Sequence, residues 1–340
     1  MARTDRPSPD RTSRLSIVVV NFNTRDLLRA CLRSVRAAEP RAEVIVVDNG
    51  SGDGSAAMVQ KEFGKSARSA AVRLIANRRN RGFAAANNQG FAKATGEVIV
   101  MLNSDTEVPK GGLSKLAREL ERHPEVGVVA PQLRNAAGEV QQSASWRAPG
   151  LLTLFLEYTL LNRVLYRLLP AVRYPGKQLL TRAELRKRRA VGDLLGACVV
   201  FRKELLKEIG PLDERFFVFL EETDFNARVR DAGYGLVYLP TVRVLHHWGG
   251  TIDSGGSLAK RFNLFYPSLY RFFRKRHGSL YVGMARLAAL VLLPVSLILI
   301  LLSLIPLGIV SLLAGKSFFR AATNQLPVLW GALRWHWGIR

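Results

Sequence analysis

Four short runs of aliphatic and β-branched residues constrain this chain more than anything else in it. LSIVVV (15–20), EVIVVD (43–48), EVIVML (97–102) and VGVVAP (126–131) are continuous in apolarity rather than alternating. A strand apolar on both faces must be covered on both faces, as in a parallel sheet between two helical layers. Between these runs the period changes. Leu27, Leu28, Cys31, Leu32 and Val35 recur at helical spacing, 83–93 is Ala-rich and 113–122 is amphipathic. Helices are therefore predicted over 25–37, 83–93 and 113–122, with a further strand at 72–75 and a turn cluster at DNGSGDGS (48–55). Beyond these, 197–201 reads as a strand, 221–231 as a helix, and 236–239 and 242–245 as two short strands. Strands alternating with helices predict an α/β fold with a mainly parallel sheet.

The net charge is +23, which raises the question of nucleic acid. The distribution of charge argues against it. Asp253 is the last acidic residue, and Lys260, Arg261, Arg271, Arg274, Lys275, Arg276 and Arg286 follow it before residues 287–315, which carry no charge. An apolar run of this length matches a transmembrane or re-entrant segment, and the basic flank matches a cytoplasmic face against anionic lipid. Residues 151–169 are Leu-rich but interrupted by Arg163 and Arg167, and read equally as a membrane-surface helix or a core-facing one. Residues 1–14 are polar and basic, too short of apolar residues for an export signal. The two cysteines, Cys31 and Cys198, form no metal or disulfide pattern and suit a reducing compartment. These features place the catalytic part in the cytoplasm, at the inner membrane.

Two strands end in acids, and the carboxyl ends of parallel strands are where open α/β sheets bind ligands. One run leads to Asp48 and the turn Asn49-Gly50-Ser51-Gly52-Asp53, the other to Asn103-Ser104-Asp105. Such carboxylates accept hydrogen bonds from a sugar or base, or hold a hard cation together with phosphate oxygens. Neither GxGxxG after the first strand nor GxxxxGK[ST] is present, which removes the main support for dinucleotide oxidoreductase and P-loop readings. Glu221, Glu222 and Asp224 crowd one helical turn; mutual repulsion raises proton affinity there, the condition of a general base. Arg228 could instead pair with Asp224 as an ordinary i,i+4 contact. His246 and His247, in HHWGGT (246–251), would point to opposite faces of a strand, so at most one of them is a ligand.

Six stretches in this order resemble the family 2 glycosyltransferases, and in particular bacterial rhamnosyltransferase-like enzymes of cell-surface polysaccharide synthesis. They are 17–35, 44–55, 80–90, 96–108, 196–240 and 244–251. The resemblance implies a GT-A fold and a nucleotide diphosphate sugar donor. It implies donor binding by Asn21, Asp48, Asn80, Gly82, Asn87, Asn103 and Ser104. It implies Mg²⁺ or Mn²⁺ on Asp105, in the place of the DxD motif, with His246 as a second ligand. Asn103 stands where that motif has its first Asp. Glu222 occupies the place of the catalytic base, with Asp224 as reserve and Glu221 beside it.

The implied layout is a tail (1–14), a GT-A domain (15–255) and a basic juxtamembrane segment (256–286). A membrane segment (287–315) and a basic aromatic tail (316–340) follow. The GT-A domain would divide into a nucleotide-sugar half (15–131) and an acceptor half (132–255) with an amphipathic insertion near 140–190. The expected reaction is inverting transfer of rhamnose or another hexose to a glycan acceptor, carried on a polyprenyl diphosphate at the membrane lipid, with no nucleic acid involved. Two other readings are a non-catalytic GT-A scaffold of a polysaccharide assembly complex and a basic nucleic-acid-binding protein.

Overall fold

The computed structural model describes residues 14–64, 71–158, 179–247, 258–314 and 326–337. The chain forms two compact units. The first comprises Met1–Ser145, Arg182–Phe217 and Glu221–Thr251; the second comprises Trp146–Thr181, Val218–Leu220 and Ile252–Arg340.

The first unit runs β1 (Leu15–Asn21), α1 (Arg25–Ala38), β2 (Glu43–Asp48), α2 (Ser55–Phe63), β3 (Arg73–Ala76), α3 (Phe83–Lys93), β4 (Val98–Asn103), β5 (Thr106–Glu107), α4 (Gly112–Arg122), β6 (Val126–Arg134) and β7 (Ala144–Ser145). After α5 (Leu151–Tyr158), which belongs to the second unit, it resumes with β8 (Arg189–Val191), β9 (Asp193–Leu194), β10 (Cys198–Arg202), α6 (Leu205–Glu208), α7 (Glu221–Asp231) and β11 (Gly235–His246). The main sheet has the order β3-β2-β1-β4-β10-β6-β11-β5, with β8 also on β11; β7 and β9 make a small second sheet.

The continuous apolar runs are buried on both faces, as their composition requires: Ile17, Val18, Val19, Ile45, Val46, Val47, Ile99 and Val100 have no exposed surface. Helix α1 turns Leu28, Cys31, Leu32 and Val35 into the same core. Removing one such aliphatic side chain costs about 2–5 kcal/mol. The pairs β1–β2, β1–β4, β2–β3 and β6–β11 are parallel. Strand β10 enters between β4 and β6 antiparallel to both.

Three local expectations change. The two short strands predicted at 236–239 and 242–245 are one strand, β11, with a register shift between Leu239 and Arg243. Pro240 lies in that interval and has no N–H for the ladder, so the apolar pattern breaks without ending the strand. The turn cluster stops before Ser55, where α2 begins. The helix read over 151–169 is present as α5 up to Tyr158; its remainder lies outside the described residues.

In the second unit α5 is joined by α8 (Leu258–His277), α9 (Ser279–Ala314) and α10 (Leu326–Trp337). Aromatic rings hold α8 to α10: Tyr266 stacks on Trp335 with centroids 4.8 Å apart, and the Tyr270 hydroxyl bonds His336 Nε2. The Tyr281 hydroxyl of α9 accepts the Leu151 N–H at 2.7 Å. Helix α9 contains 287–314 of the uncharged run, but among the described residues no helix is long and apolar enough to cross a membrane.

Candidate functional site

Strand register assembles the site. Asn21 lies beside Asp48, and Val20 beside Asn103, so β1, β2 and β4 end at one sheet edge. The strand order reverses between β1 and β4 there, which opens a crevice. Hydrogen bonds tie the three ends together. Asn21 Nδ2 donates to Asp48 Oδ1 at 2.9 Å and the Ser51 N–H to Asp48 Oδ2 at 3.1 Å. Thr24 Oγ1 donates to Asn21 Oδ1 at 2.6 Å, which leaves the Ser104 hydroxyl to donate to Thr24 Oγ1 at 2.9 Å. Each Asp48 oxygen thus keeps acceptor capacity while its orientation is set.

The loop before α3 is held against this edge by one amide. Asn49 Nδ2 donates to Asn80 Oδ1 and to the Gly82 carbonyl, while Asn49 Oδ1 accepts from the Arg81 N–H and Asn77 Nδ2. Gly82 has φ +88°, and a Cβ there would meet the Phe217 carbonyl oxygen at 2.6 Å, so only glycine fits. Asn87 is fully buried in α3, donating to the Phe83 carbonyl at 2.9 Å, and its Oδ1 has no hydrogen-bond partner.

A second cluster forms where β5 pairs with β11. Thr106 lies opposite His246, and the His247 N–H donates to the Asp105 carbonyl at 2.9 Å. Buried His246 turns Nε2 towards Asp105 Oδ1 at 3.4 Å, whereas His247 points to Glu107 Oε1 at 2.9 Å. The two histidines diverge as strand geometry requires. Asn103 Oδ1 is buried without a hydrogen-bond partner. The facing carboxylate and imidazole, with an orphaned amide oxygen at the adjoining end of β4, are donor types that suit Mg²⁺ or Mn²⁺. Among the described residues no group of three or more His, Cys, Asp or Glu is placed to hold a metal ion.

The acids of α7 are the third component. The Asn103 N–H donates to the Ala197 carbonyl at 2.9 Å, and the preceding residue, Gly196, packs on Glu222. This backbone link carries the acids to the end of β4. Phe219 and Leu220, immediately before α7, have φ of 69° and 66°. Such left-handed conformations cost about 1–3 kcal/mol each in a non-glycine residue and persist where surrounding structure imposes them. Burial pushes the Glu222 carboxyl up to about 7, with the Asp193 charge adding to the effect. Burial also holds Glu221 well above the usual carboxylate range, with Glu222 contributing. Both Glu221 Oε2 and Glu222 Oε2 are buried without a hydrogen-bond partner. Asp224 differs: its Oδ2 takes Arg228 Nε at 2.9 Å, and the Arg228 fork also donates to the carbonyls of Ile209, Gly210 and Pro211. The i,i+4 pair considered from the sequence therefore exists, but it is buried rather than solvated.

The profile of the family described as Glycosyl transferase family 2 matches residues 16–210. The chain belongs to glycosyl transferase family 2. This glycosyltransferase is 29% identical to the N-acetylglucosaminyl-diphospho-decaprenol L-rhamnosyltransferase of Mycobacterium tuberculosis, over 78% of this chain and 86% of that one. It is 34% identical to the undecaprenyl-phosphate 4-deoxy-4-formamido-L-arabinose transferase of Pseudomonas savastanoi over 42% of this chain and 40% of the other. Among solved structures it resembles the mannosyltransferase of Pyrobaculum calidifontis, solved with GDP-Man and Mn²⁺. The TM-score is 0.61 at 19% identity, over 98% of this chain and 90% of that one. That likeness establishes a GT-A-like fold.

Three residues around the candidate site escaped the sequence reading. Asn49 looked like a turn residue, Gln141 sat in a segment with no periodic signal, and Asp193 is a lone acid before a strand. Asp193 Oδ2 accepts from Thr223 Oγ1 at 2.9 Å and Oδ1 from Asn226 Nδ2 at 2.7 Å, so it fixes the first turn of α7. The signal that could have found it was a buried-strand context, VGDLLGACVVF, in which a charged side chain needs partners.

Proposed function

We propose that this glycosyltransferase is inverting and metal-dependent, moving a hexosyl or deoxyhexosyl group from a nucleotide diphosphate sugar to a glycan on a polyprenyl diphosphate. The acceptor named for the Mycobacterium relative, a diphospho-decaprenol carrying N-acetylglucosamine, supports the acceptor class, and its L-rhamnosyl group supports the sugar class. The observation that carries the reading is Glu222. Its carboxyl is raised to about 7, has one buried oxygen without a partner, and is linked through Gly196 and Ala197 to the Asn103-Ser104-Asp105 end of β4.

A base with proton affinity near neutrality both exists deprotonated and takes a proton effectively. Glu222 accepts the proton of the acceptor hydroxyl as that oxygen bonds to the anomeric carbon. The bond from the anomeric carbon to the diphosphate breaks on the opposite side, its electron pair leaving with the diphosphate, and the anomeric centre inverts. Asp48, Asn21 and the Asn49-held loop with Asn80, Gly82 and Asn87 serve the nucleotide sugar, with Ser104 and Asn103 between it and the acids. Asp105, His246 and Asn103 would hold a divalent cation, which would supply positive charge to the leaving diphosphate. Asp224, engaged by Arg228, positions α7 rather than taking the proton.

The second unit serves membrane attachment at the cytoplasmic face. Leu280, Met284, Leu287, Val291, Val295 and Ile298 form one exposed apolar stripe along α9, and Arg271, Arg274 and Lys275 are exposed at the end of α8 just before it. Apolar surface beside exposed cations is the pattern that binds an anionic leaflet. Extraction separates the modes: release by high salt means electrostatic attachment, release only by detergent means insertion, and a protein never found with membranes refutes the attachment. For the chemistry, the test is nucleotide diphosphate release across a panel of nucleotide sugars with a polyprenyl-linked acceptor. Glu222→Gln should lose about 10²–10⁴ in rate, and near wild-type turnover would overturn the assignment.

A further inference from the structure

We infer that Gln141 is a positioning residue that fixes the tautomer of His246 and thereby presents Nε2 as a metal-binding lone pair. The inference rests on the proposed metal reading and concerns a residue outside the motifs. Gln141 follows the loop after β6, where Asn135 and Glu139 close a turn and Arg134 bridges to Val140. Its own N–H donates to the Leu133 carbonyl at 2.9 Å, which anchors its backbone to the sheet.

The side chain then grips His246 twice. Gln141 Nε2 donates to the His246 main-chain carbonyl at 2.9 Å, and Gln141 Oε1 lies 2.9 Å from His246 Nδ1. A carbonyl only accepts, so the first bond fixes which end of the amide is NH₂. Oε1 must then face Nδ1, and an amide oxygen only accepts, so Nδ1 carries the proton. In the neutral ring Nε2 is left with its lone pair, 3.4 Å from Asp105 Oδ1. Facing Asp105 Oδ1, Nε2 either shares a cation with that oxygen or carries a second ring proton, and in both cases Nδ1 keeps its proton towards Gln141. A hydrogen-bond partner on the distal ring nitrogen is the usual way a protein orients a ligating histidine, and its loss typically costs about 10–100-fold in metal affinity.

The test uses the purified full chain with Mn²⁺ and a nucleoside diphosphate. Mn²⁺ affinity is read by paramagnetic resonance, and the His246 tautomer in metal-free protein by ¹⁵N NMR, with His246→Gln supplying the assignment. The wild type should show protonated Nδ1. Gln141→Leu should bind Mn²⁺ about 10–100-fold more weakly, in protein that still unfolds in a single cooperative transition. Gln141→Glu keeps an acceptor for Nδ1–H and should retain affinity within a few fold. Wild-type affinity in Gln141→Leu, or a protonated Nε2 in neutral wild-type His246, overturns the inference. Failure of the wild type to bind Mn²⁺ with nucleotide present overturns the metal reading itself while the tautomer result still judges the role of Gln141.

Discussion

Gly196 lies against the side chain of Glu222, so closely that a Cβ on Gly196 would stand 3.2 Å from the Glu222 Cβ. The same Cβ would meet Met101 Cε at 3.1 Å, so it presses on a flexible side chain from one side and on the proposed base from the other. Gly196→Ala should therefore move Glu222 by a few tenths of an ångström. The expected outcome is a fall in kcat of about 10-fold or more with little change in stability, because misplacement of a reacting group is costly in rate. Unchanged kcat would show that Glu222 is not held to its position by this contact.

The pH dependence follows from Glu222 as base. It must be unprotonated to act, and burial has raised it to about 7. The acid limb of kcat/KM should bend near neutrality, with activity falling as pH drops below it, and that limb should vanish in the residual activity of Glu222→Gln. A limb near the ordinary carboxylate range would assign the base elsewhere.

Stability should run the other way. Glu221, Glu222 and Asp193 all hold protons in the folded state that the unfolded chain releases earlier. At these three groups the folded state then binds more protons, so their contribution to stability is fully present below the unfolded carboxylate range and is lost as pH rises from there through about 7. Denaturant midpoints measured from pH 4.5 to 8 should show this decline, flattened in Glu222→Gln. A midpoint that rises across the window would contradict the burial of these acids.

Arg228 links α7 to the segment 209–211 through three carbonyls and to Asp224. Arg228→Ala leaves the fully buried Asp224 without this cation. Breaking one side of a buried pair costs about 3–5 kcal/mol. Urea unfolding followed by circular dichroism should show a loss of that size. A change under 1 kcal/mol would mean that Asp224 does not depend on the arginine for its charge.

Metal removal bears on the β5–β11 junction. Chelation should abolish transfer and Mg²⁺ or Mn²⁺ should restore it. Asp105→Ala should lose Mn²⁺ binding while keeping the unfolding profile, since the backbone bond from His247 to the Asp105 carbonyl survives the substitution. Transfer that persists in excess chelator would remove the cation from the mechanism.

The sequence by itself determined the α/β alternation, because LSIVVV, EVIVVD and EVIVML are apolar on both faces and must be central strands. It also pointed to Asp48 and Asp105 at strand ends and to the crowded acids Glu221, Glu222 and Asp224, because clustered acids are costly unless paired or used, while the family resemblance is what picked out Glu222 and His246. Only the tertiary structure decided how β10 enters the sheet antiparallel, why Pro240 interrupts but does not end β11, and which acid of α7 is already engaged by Arg228. Asn49, Gln141 and Asp193 became visible only there. Each acts through hydrogen bonds to residues distant in the chain, and neither composition nor periodicity encodes such a partner. A local pattern reports which face is buried; the pairing of a polar side chain depends on where the fold brings another one, and that is settled only when the strands take their register.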